Sequence, residues 1–598
     1  MSSPRPTDGP DQGTLALATP EDERPVAAWE AAASAVLRKA RRLGEDDADG
    51  LVWQKLTRRT LDGVGVTPLG TAASVADLPE RERPRVARGW DVRGLVEPMP
   101  ADLARETALA DLDGGTTSVW LQLDEETATG EDLTDELAER LDGVLLDLAG
   151  VVLDAPAAPL AAADAFLSVL GSSLEEGVLP ARGTNLGCPA DADADALVAV
   201  ARLAQSAGVA GVVVDGTAVH DRGASDATEL AHVLASGVRV LRVLEAGGLP
   251  PLVASTLIEL RVAVTDEQLA SVAKVRALRR LWDRVLEVST GHAGVGSRIH
   301  AVTSRPMMTR YDSYTNMLRT TVAAFSAGVG GADAVTVLPF DAPLGRSESF
   351  GRRIARNTSH LLVEESHVAR VADPAGGSYA IERLTHDLAE AAWALFVDLD
   401  TPDGPDLGLL EARIAATVAE RDTQVATRRR PVTGVSEFPD LAEDLPVREP
   451  SAAFQDVVGW ARAYEAMRDE PPARHAFLAT LGPVAQHTAR ATFATNLLAA
   501  GGIAVDVAGA TTGPDDLVAA YDGQPVVVLA GSDPTYEEWG AAAAEALRAA
   551  GATRVVVAGK PADHADDSCA MGVDALAFLT RTRAALGAAF ESTEGESL

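Results

Sequence analysis

Between residues 298 and 379 the sequence alternates two kinds of segment, and few folds accept that alternation over several hundred residues. Arg298-Ile299-His300-Ala301-Val302-Thr303-Ser304 and Ala334-Val335-Thr336-Val337-Leu338 lack the apolar–polar alternation of a half-exposed strand, which suits strands covered on both faces. A helix-length polar stretch, 311–325, separates them and ends at Gly328-Val329-Gly330-Gly331. That glycine run precedes a strand and opens no helix, so it reads as a helix C-cap and not as a phosphate loop. A third apolar run, 367–371, ends at Asp373-Pro374-Ala375-Gly376-Gly377-Ser378-Tyr379.

The same rhythm runs upstream. Strands are expected at 118–123, 143–148 and 211–216, separated by alanine-rich helices, and residues 273–282 form a helix with Leu278, Leu281 and Trp282 on one face. Parallel strands alternating with helices over this length predict an α/β fold, a (β/α)8 barrel over 89–397. After a polar, proline-punctuated linker (398–472) the alternation returns. Strands at 474–480, 503–507, 525–529, 554–558 and 573–578, with a helix at 536–550, predict a flavodoxin-like doubly wound domain over 473–598. Ahead of the barrel, residues 1–25 read as a disordered lead without an apolar signal-peptide core. Residues 26–88 hold an amphipathic helix (26–43) and an extended N-terminal arm (53–69) able to lie across another surface.

Composition narrows the function classes. With 52 basic and 88 acidic residues the chain carries a formal charge of −36, a field that repels phosphate backbones, so nucleic acid is not an expected partner. No apolar run reaches the roughly 18 residues of a membrane span. Cys188 and Cys569 are too far apart in sequence for a metal motif or a disulfide framework, which suits a cytoplasmic setting. Asp191, Asp193 and Asp195 lack the glycine and glutamate of a calcium loop, and Asp563 to Asp567 with His564 read as surface.

Several ordered blocks carry a resemblance. They are Arg88-Gly89-Trp90-Asp91-Val92-Arg93; Ala273-Lys274-Val275-Arg276-Ala277 through Trp282; Tyr314-Thr315-Asn316 with Arg319-Thr320; Ser349-Phe350 with Arg353-Ile354-Ala355-Arg356-Asn357-Thr358; Asp373-Pro374 with Gly376-Gly377-Ser378-Tyr379; and Arg430-Pro431-Val432 with Gly434-Val435. Together, from Trp53 onward, the chain resembles the coenzyme-B12-dependent acyl-CoA mutases, in particular the small (beta) subunits of heterodimeric methylmalonyl-CoA mutase. The resemblance implies a substrate barrel, a linker and a cobalamin-type domain capping the barrel mouth. It also implies a large (alpha) catalytic partner that holds adenosylcobalamin and interconverts (R)-methylmalonyl-CoA and succinyl-CoA.

The family's cobalamin motif, Asp-x-His-x-x-Gly, follows the first strand of the last domain. The matching loop here is Gly482-Pro483-Val484-Ala485-Gln486-His487-Thr488-Ala489, so Val484, Gln486 and Ala489 stand for the acid, the ligand and the glycine. His487 falls one place late and reads as a surface histidine. Ala530-Gly531-Ser532 and Gly559-Lys560 replace a Ser-x-Leu turn and a glycine pair. In the barrel, Leu95 and Gly70 stand where the family has tyrosines, Gly216-Thr217-Ala218 replaces Gly-Tyr-His with His220 two residues further on, and Ala301-Val302-Thr303-Ser304-Arg305 replaces Ser-Gln-Thr-Ser-Gly. The expectation is therefore no catalytic, cofactor-binding or metal-binding residue in this chain, and no cofactor of its own. Arg298, His300 and Arg305 are the candidates for vestigial CoA contacts, against ordinary salt bridging at the barrel rim. Two alternatives stand beside this reading: a self-sufficient acyl-CoA mutase in which His487 or His220 replaces lost groups, and a subunit binding acyl-CoA as a regulator.

Overall fold

In the computed structural model, which describes residues 24–79, 89–292 and 298–587, the apolar runs close into a parallel eight-stranded barrel. Its strands are β1 Asp91–Val96, β2 Ser118–Gln122, β3 Gly150–Asp154, β4 Asn185–Pro189, β5 Ala210–Asp215, β6 Ile258–Val264, β7 Arg298–Thr303 and β8 Ala334–Thr336. Each strand pairs in parallel with its sequence neighbours, and β8 closes the ring on β1 through Ala334 with Asp91 and Val335 with Val92. Helices that bear on the site are α1 Ala101–Asp113, α2 Asp226–Ala246, α3 Gln268–Thr290, α4 Thr315–Gly330, α5 Ser349–His360 and α6 Tyr379–Leu399. Leu278, Leu281 and Trp282 are all buried on α3, as their shared face requires. The glycine run ends α4, where Gly331 takes the left-handed conformation (φ 88°) that lets its N–H turn back to the last carbonyls.

In the barrel region two apolar runs are not strands. Residues 143–148 are turns, and the strand lies just beyond, at β3. Gly143 adopts φ 85°, Leu145 and Leu148 are exposed, and only Val144 and Leu146 point inward. Alternation of that kind belongs to a loop lying on a surface, whereas β3 is buried on both sides. The run 367–371 is a short 3-10 turn, Val368–Arg370, entered through His367 at φ 54°.

The lead over 1–25 lies outside the described residues except for its last two, as do Arg88 and most of the charged loop before it. The arm is only locally extended. Helices Val26–Lys39 and Leu51–Leu56 share a small core of Leu37, Leu43 and Val52. A two-stranded hairpin then pairs Arg58–Arg59 with Gly65–Val66. Val64 and Val66 pack on Ala273 of α3 and Leu384 of α6, and the Ala227 N–H at the start of α2 donates to Asp62 at 3.3 Å. This part of the arm lies on its own barrel.

The last domain is a five-stranded parallel sheet built from β9 Ala476–Thr480, β10 Val505–Val507, β11 Val526–Ala530, β12 Arg554–Ala558 and β13 Asp567–Cys569, in the order β10-β9-β11-β12-β13. That is the flavodoxin-like order, with its reversal between β9 and β11. The expected strand at 573–578 is instead the start of helix Ala575–Ala585, capped by Asp574, whose carboxylate accepts from the Ala577 N–H at 2.9 Å. The linker lies on both domains: Arg583 donates to Met467 O at 2.7 Å, and the Trp460 N–H to Pro306 O at 2.9 Å. No described helix is long and apolar enough to cross a membrane.

Candidate functional site

A barrel of this kind offers a ligand two places: its axis, and the crevice above its strand ends. Strand β6 decides the first. It reads Ile258-Glu259-Leu260-Arg261-Val262, so period-two alternation turns Ile258, Leu260 and Val262 toward the helices and the two charged side chains toward the axis. Glu259 accepts from both terminal nitrogens of Arg93 on β1, at 2.6 and 3.2 Å, across the width of the barrel. Arg93 also reaches Asp91 at 3.2 Å, a carboxylate shared with Arg298 (3.2 Å) and the Ser118 hydroxyl (2.7 Å). One layer higher, Arg261 donates to Asp215 at 2.8 Å and stacks its guanidinium 3.9 Å from the centre of the Trp120 ring. Trp120 meets His300 edge-on at 5.5 Å and donates its indole N–H to Asp154 at 2.8 Å.

The bore is thus filled by its own charges. Arg93, Glu259, Arg261, Trp120 and His300 are all buried. Burial and the positive field of Arg93 and Arg261 push His300 well below its ordinary value, so it is a neutral imidazole. Its Nδ1 accepts from Arg261 Nε at 3.1 Å, which leaves Nε2–H to donate to the Thr336 hydroxyl at 2.8 Å. The charged groups of the bore are paired with one another: Arg93 with Glu259 and Asp91, and Arg261 with Asp215. A pantetheine-like chain along the axis would have to displace paired charges from a low-dielectric interior.

At the C-terminal mouth, Leu95 is buried, and Thr217 spends its hydroxyl and N–H on Asp215, both at 2.7 Å. His220 lies in the short helix Thr217–Asp221, buried, with Nε2 2.7 Å from the Ser304 hydroxyl and Nδ1 3.2 Å from Glu229. Glu229 is itself held by Lys274 at 2.5 Å and by the Ala263 N–H at 2.7 Å. Arg305 pairs with Asp221 at 2.8 Å, and the Asp221 carbonyl accepts from the linker's Val458 N–H at 2.8 Å. The three proposed CoA contacts do not converge. Arg298 opens β7 and binds at the lower layer, Arg305 follows the other end of the strand, and the neutral His300 lies between them. Gly70, where the family has a tyrosine, has no room for a side chain: a Cβ there would lie 2.5 Å from the Ala380 backbone nitrogen.

The second place is the crevice where the sheet order reverses, between the loops after β9 and β11. The chain's own side chains occupy it. Helix α7, Val484–Ala500, starts directly after Gly482-Pro483. Val484, Gln486 and Ala489 face solvent on its first turns, and the Gln486 carbonyl accepts from the Thr535 hydroxyl at 3.0 Å. Gly482, at φ 85°, has Gln486 Oε1 2.4 Å from where a Cβ would be. Contrary to the surface position expected for it, His487 is buried; the helix turns its ring inward, where Nδ1 donates to Gly482 O at 3.1 Å. The Tyr536 hydroxyl ties the strand ends together, accepting from the Gly531 N–H at 3.0 Å and lying 2.9 Å from Leu529 O and 3.0 Å from Ala558 O. Arg490 lies over that ring at 4.9 Å and donates to Gly531 O at 2.6 Å. Tyr536 and Arg490 fill the crevice with contacts of their own, and position 486 offers an amide where the family motif has an imidazole. The residues present do not fit cobalamin. Among the described residues no cluster of three or more His, Cys, Asp or Glu could hold a metal.

Sequence reasoning located the altered loop but missed the groups that fill both cavities. Glu259 and Arg261 were legible as two ionised residues in an otherwise apolar strand. Their partners Arg93 and Trp120 were not, because only barrel closure brings β1, β2 and β6 face to face. Tyr536 and Arg490 gave no sequence signal.

With this geometry in hand, comparison with known proteins is informative. A sequence model described as methylmalonyl-CoA mutase matches residues 191–514. The chain is 41% identical to the methylmalonyl-CoA mutase small subunit of Streptomyces virginiae, over 97% of this chain and 99% of that one. It is 32% identical to the small subunit of Propionibacterium freudenreichii subsp. shermanii, over 98% and 99% respectively. The Streptomyces virginiae large subunit is 31% identical over only 38% of this chain and 32% of its own length. A match over more than half the chain, joined to full-length likeness to small subunits, shows that the chain belongs to the methylmalonyl-CoA mutase family, with its small subunits.

Proposed function

We propose that this chain is the non-catalytic small subunit of a heterodimeric methylmalonyl-CoA mutase. Its large-subunit partner would hold adenosylcobalamin and interconvert (R)-methylmalonyl-CoA and succinyl-CoA, in the cytoplasm. One observation carries the reading: the acyl-CoA path along the barrel axis is filled by the paired charges Arg93–Glu259 and Arg261–Asp215 around Trp120. The crevice closed by Tyr536 and Arg490 supports it independently. A mutase step needs a corrin to supply the radical and a channel that excludes water and orients the thioester; the filled axis and crevice argue against both. The subunit's contribution is then conformational, a large folded surface that stabilises the partner by binding its native state. Against a regulatory acyl-CoA reading, Arg298 and Arg305 stand at opposite ends of β7 and each already has a carboxylate partner, Asp91 and Asp221.

The test is to express the chain alone and with a large subunit. The isolated chain should leave the adenosylcobalamin spectrum unchanged, and the two chains should co-elute with activity that needs the large subunit's cobalamin ligand. A corrin spectral shift on the isolated chain, or a large subunit fully stable and active alone, would overturn the proposal.

A further inference from the structure

Outside the bore and the crevice, a group of exposed apolar side chains that includes stacked aromatic rings lies where α4, α5 and the linker meet at the C-terminal rim of the barrel. Tyr314, at the N-terminus of α4, is 65% exposed and stacks on Phe340 at 5.0 Å with an interplanar angle of 28°. Phe340 meets Phe350 edge-on at 5.8 Å, and Phe350, on α5, is 42% exposed. Leu318, one turn past Tyr314 on the same face of α4, is 70% exposed. The linker borders the group: Val447 is fully exposed, and Arg448 beside it pairs at 2.6 Å with Asp341, the neighbour of Phe340. Arg353, exposed over the Phe350 ring at 5.5 Å, has no carboxylate partner among the described residues.

We propose that this face is the docking surface for the catalytic large subunit, an inference that rests on the function proposed above. Area is the first argument. An exposed aromatic side chain presents roughly 150–250 Å². Scaled by the exposures above, Tyr314 and Phe350 offer roughly 160–270 Å², and with Leu318 and Val447 the group reaches on the order of 500 Å², near the upper limit of what a monomer leaves bare. A standard interface takes about 800 Å² from each partner, some 60% of it apolar, which is the same quantity. Composition is the second: Tyr and Phe, pre-positioned by stacking and flanked by an unpaired Arg, are what energetic centres of interfaces are made of. Charge is the third. A second copy, also carrying net charge −36, would meet long-range repulsion, which disfavours it against a different chain, one that faces Arg353 with a carboxylate inside an apolar recess.

The experiment measures large-subunit affinity for the wild-type chain and for Leu318→Asp, Tyr314→Ser and Arg353→Glu, with Leu179→Asp, on an exposed loop remote in sequence, as comparison. All four sites are exposed, so circular dichroism and the urea midpoint should match wild type. Leu318→Asp and Tyr314→Ser should each weaken binding by 30-fold or more, Arg353→Glu by about tenfold, and Leu179→Asp by less than threefold. If wild type binds and the rim variants bind equally well, or if only Leu179→Asp weakens binding, the surface is misassigned while the function stands. If the chain forms a homodimer that Leu318→Asp dissociates, the occupant is a second copy and the inference falls. If wild type does not bind a large subunit at all, the proposed function fails first and takes this inference with it.

Discussion

Replacing Glu259 by Gln removes one charge from the barrel axis and leaves its shape. Arg93 and Glu259 have side chains no more than 1% exposed and are joined at 2.6 Å. Burial works against the charge on Arg93, and Glu259 with Asp91 outweigh it, so the guanidinium stays protonated. After the substitution Arg93 keeps one carboxylate, Asp91, at 3.2 Å, and must share it with Arg298, also at 3.2 Å. Two guanidinium groups then face one carboxylate, with Arg93 fully buried and Asp91 mostly so. Breaking a buried pair from one side costs about 3–5 kcal/mol, and the remaining Asp91 contact sets the expected value near 3. Replacing both partners, Arg93→Met with Glu259→Met, removes the uncompensated charge and should restore most of that loss, since apolar substitutes for a buried pair are often neutral. The assay is equilibrium urea unfolding by circular dichroism. Glu259→Gln should shift the barrel transition down by about 1 M or more, given slopes of roughly 1–3 kcal/mol/M, and the double variant should lie between it and wild type or above. A Glu259→Gln midpoint equal to wild type would mean that water screens the pair, and the filled-axis reading would fail.

Three further outcomes follow from individual residues. Burial first, then the nearby Asp226, raises the half-buried Asp62 to about 6, so its contribution to hairpin docking is complete below about 4 and is lost as pH rises through 6. The loss is at most about 3 kcal/mol; hydrogen-exchange protection factors at residues 58–66, each taken against the intrinsic rate at the same pH, should fall between pH 5 and 7.5 in wild type and stay level in Asp62→Asn. Tyr536→Phe strips the hydroxyl that joins Gly531, Leu529 and Ala558 and should cost about 1–3 kcal/mol, read as a lower urea midpoint for the last domain; an unchanged midpoint would show that the crevice is not held by that group. Burial pushes both Cys188 and Cys569 up to about 12, so neither thiol should react with Ellman's reagent in the native protein and both should react in urea. Fast native labelling of either would contradict its burial.

The sequence by itself determined the architecture, because local pattern carries it. Unbroken apolar runs such as 211–216, spaced by helices and stopped by glycines, have few ways to bury both faces, and a closed parallel barrel is the solution adopted. Through the family resemblance it also placed Gln486 where the family's motif has a histidine. It erred where pattern is ambiguous: 143–148 has the apolar content of a strand but lies as a turn, and 573–578 holds a capped helix start. Tertiary structure alone decided how the cavities were filled. Arg93 and Glu259 are 166 positions apart, and Tyr536 reaches back to Leu529 and out to Ala558. Contacts of that range have no local signature; they exist because strand order brings the side chains to one axis or one crevice, where each buried charge or hydroxyl must find a partner.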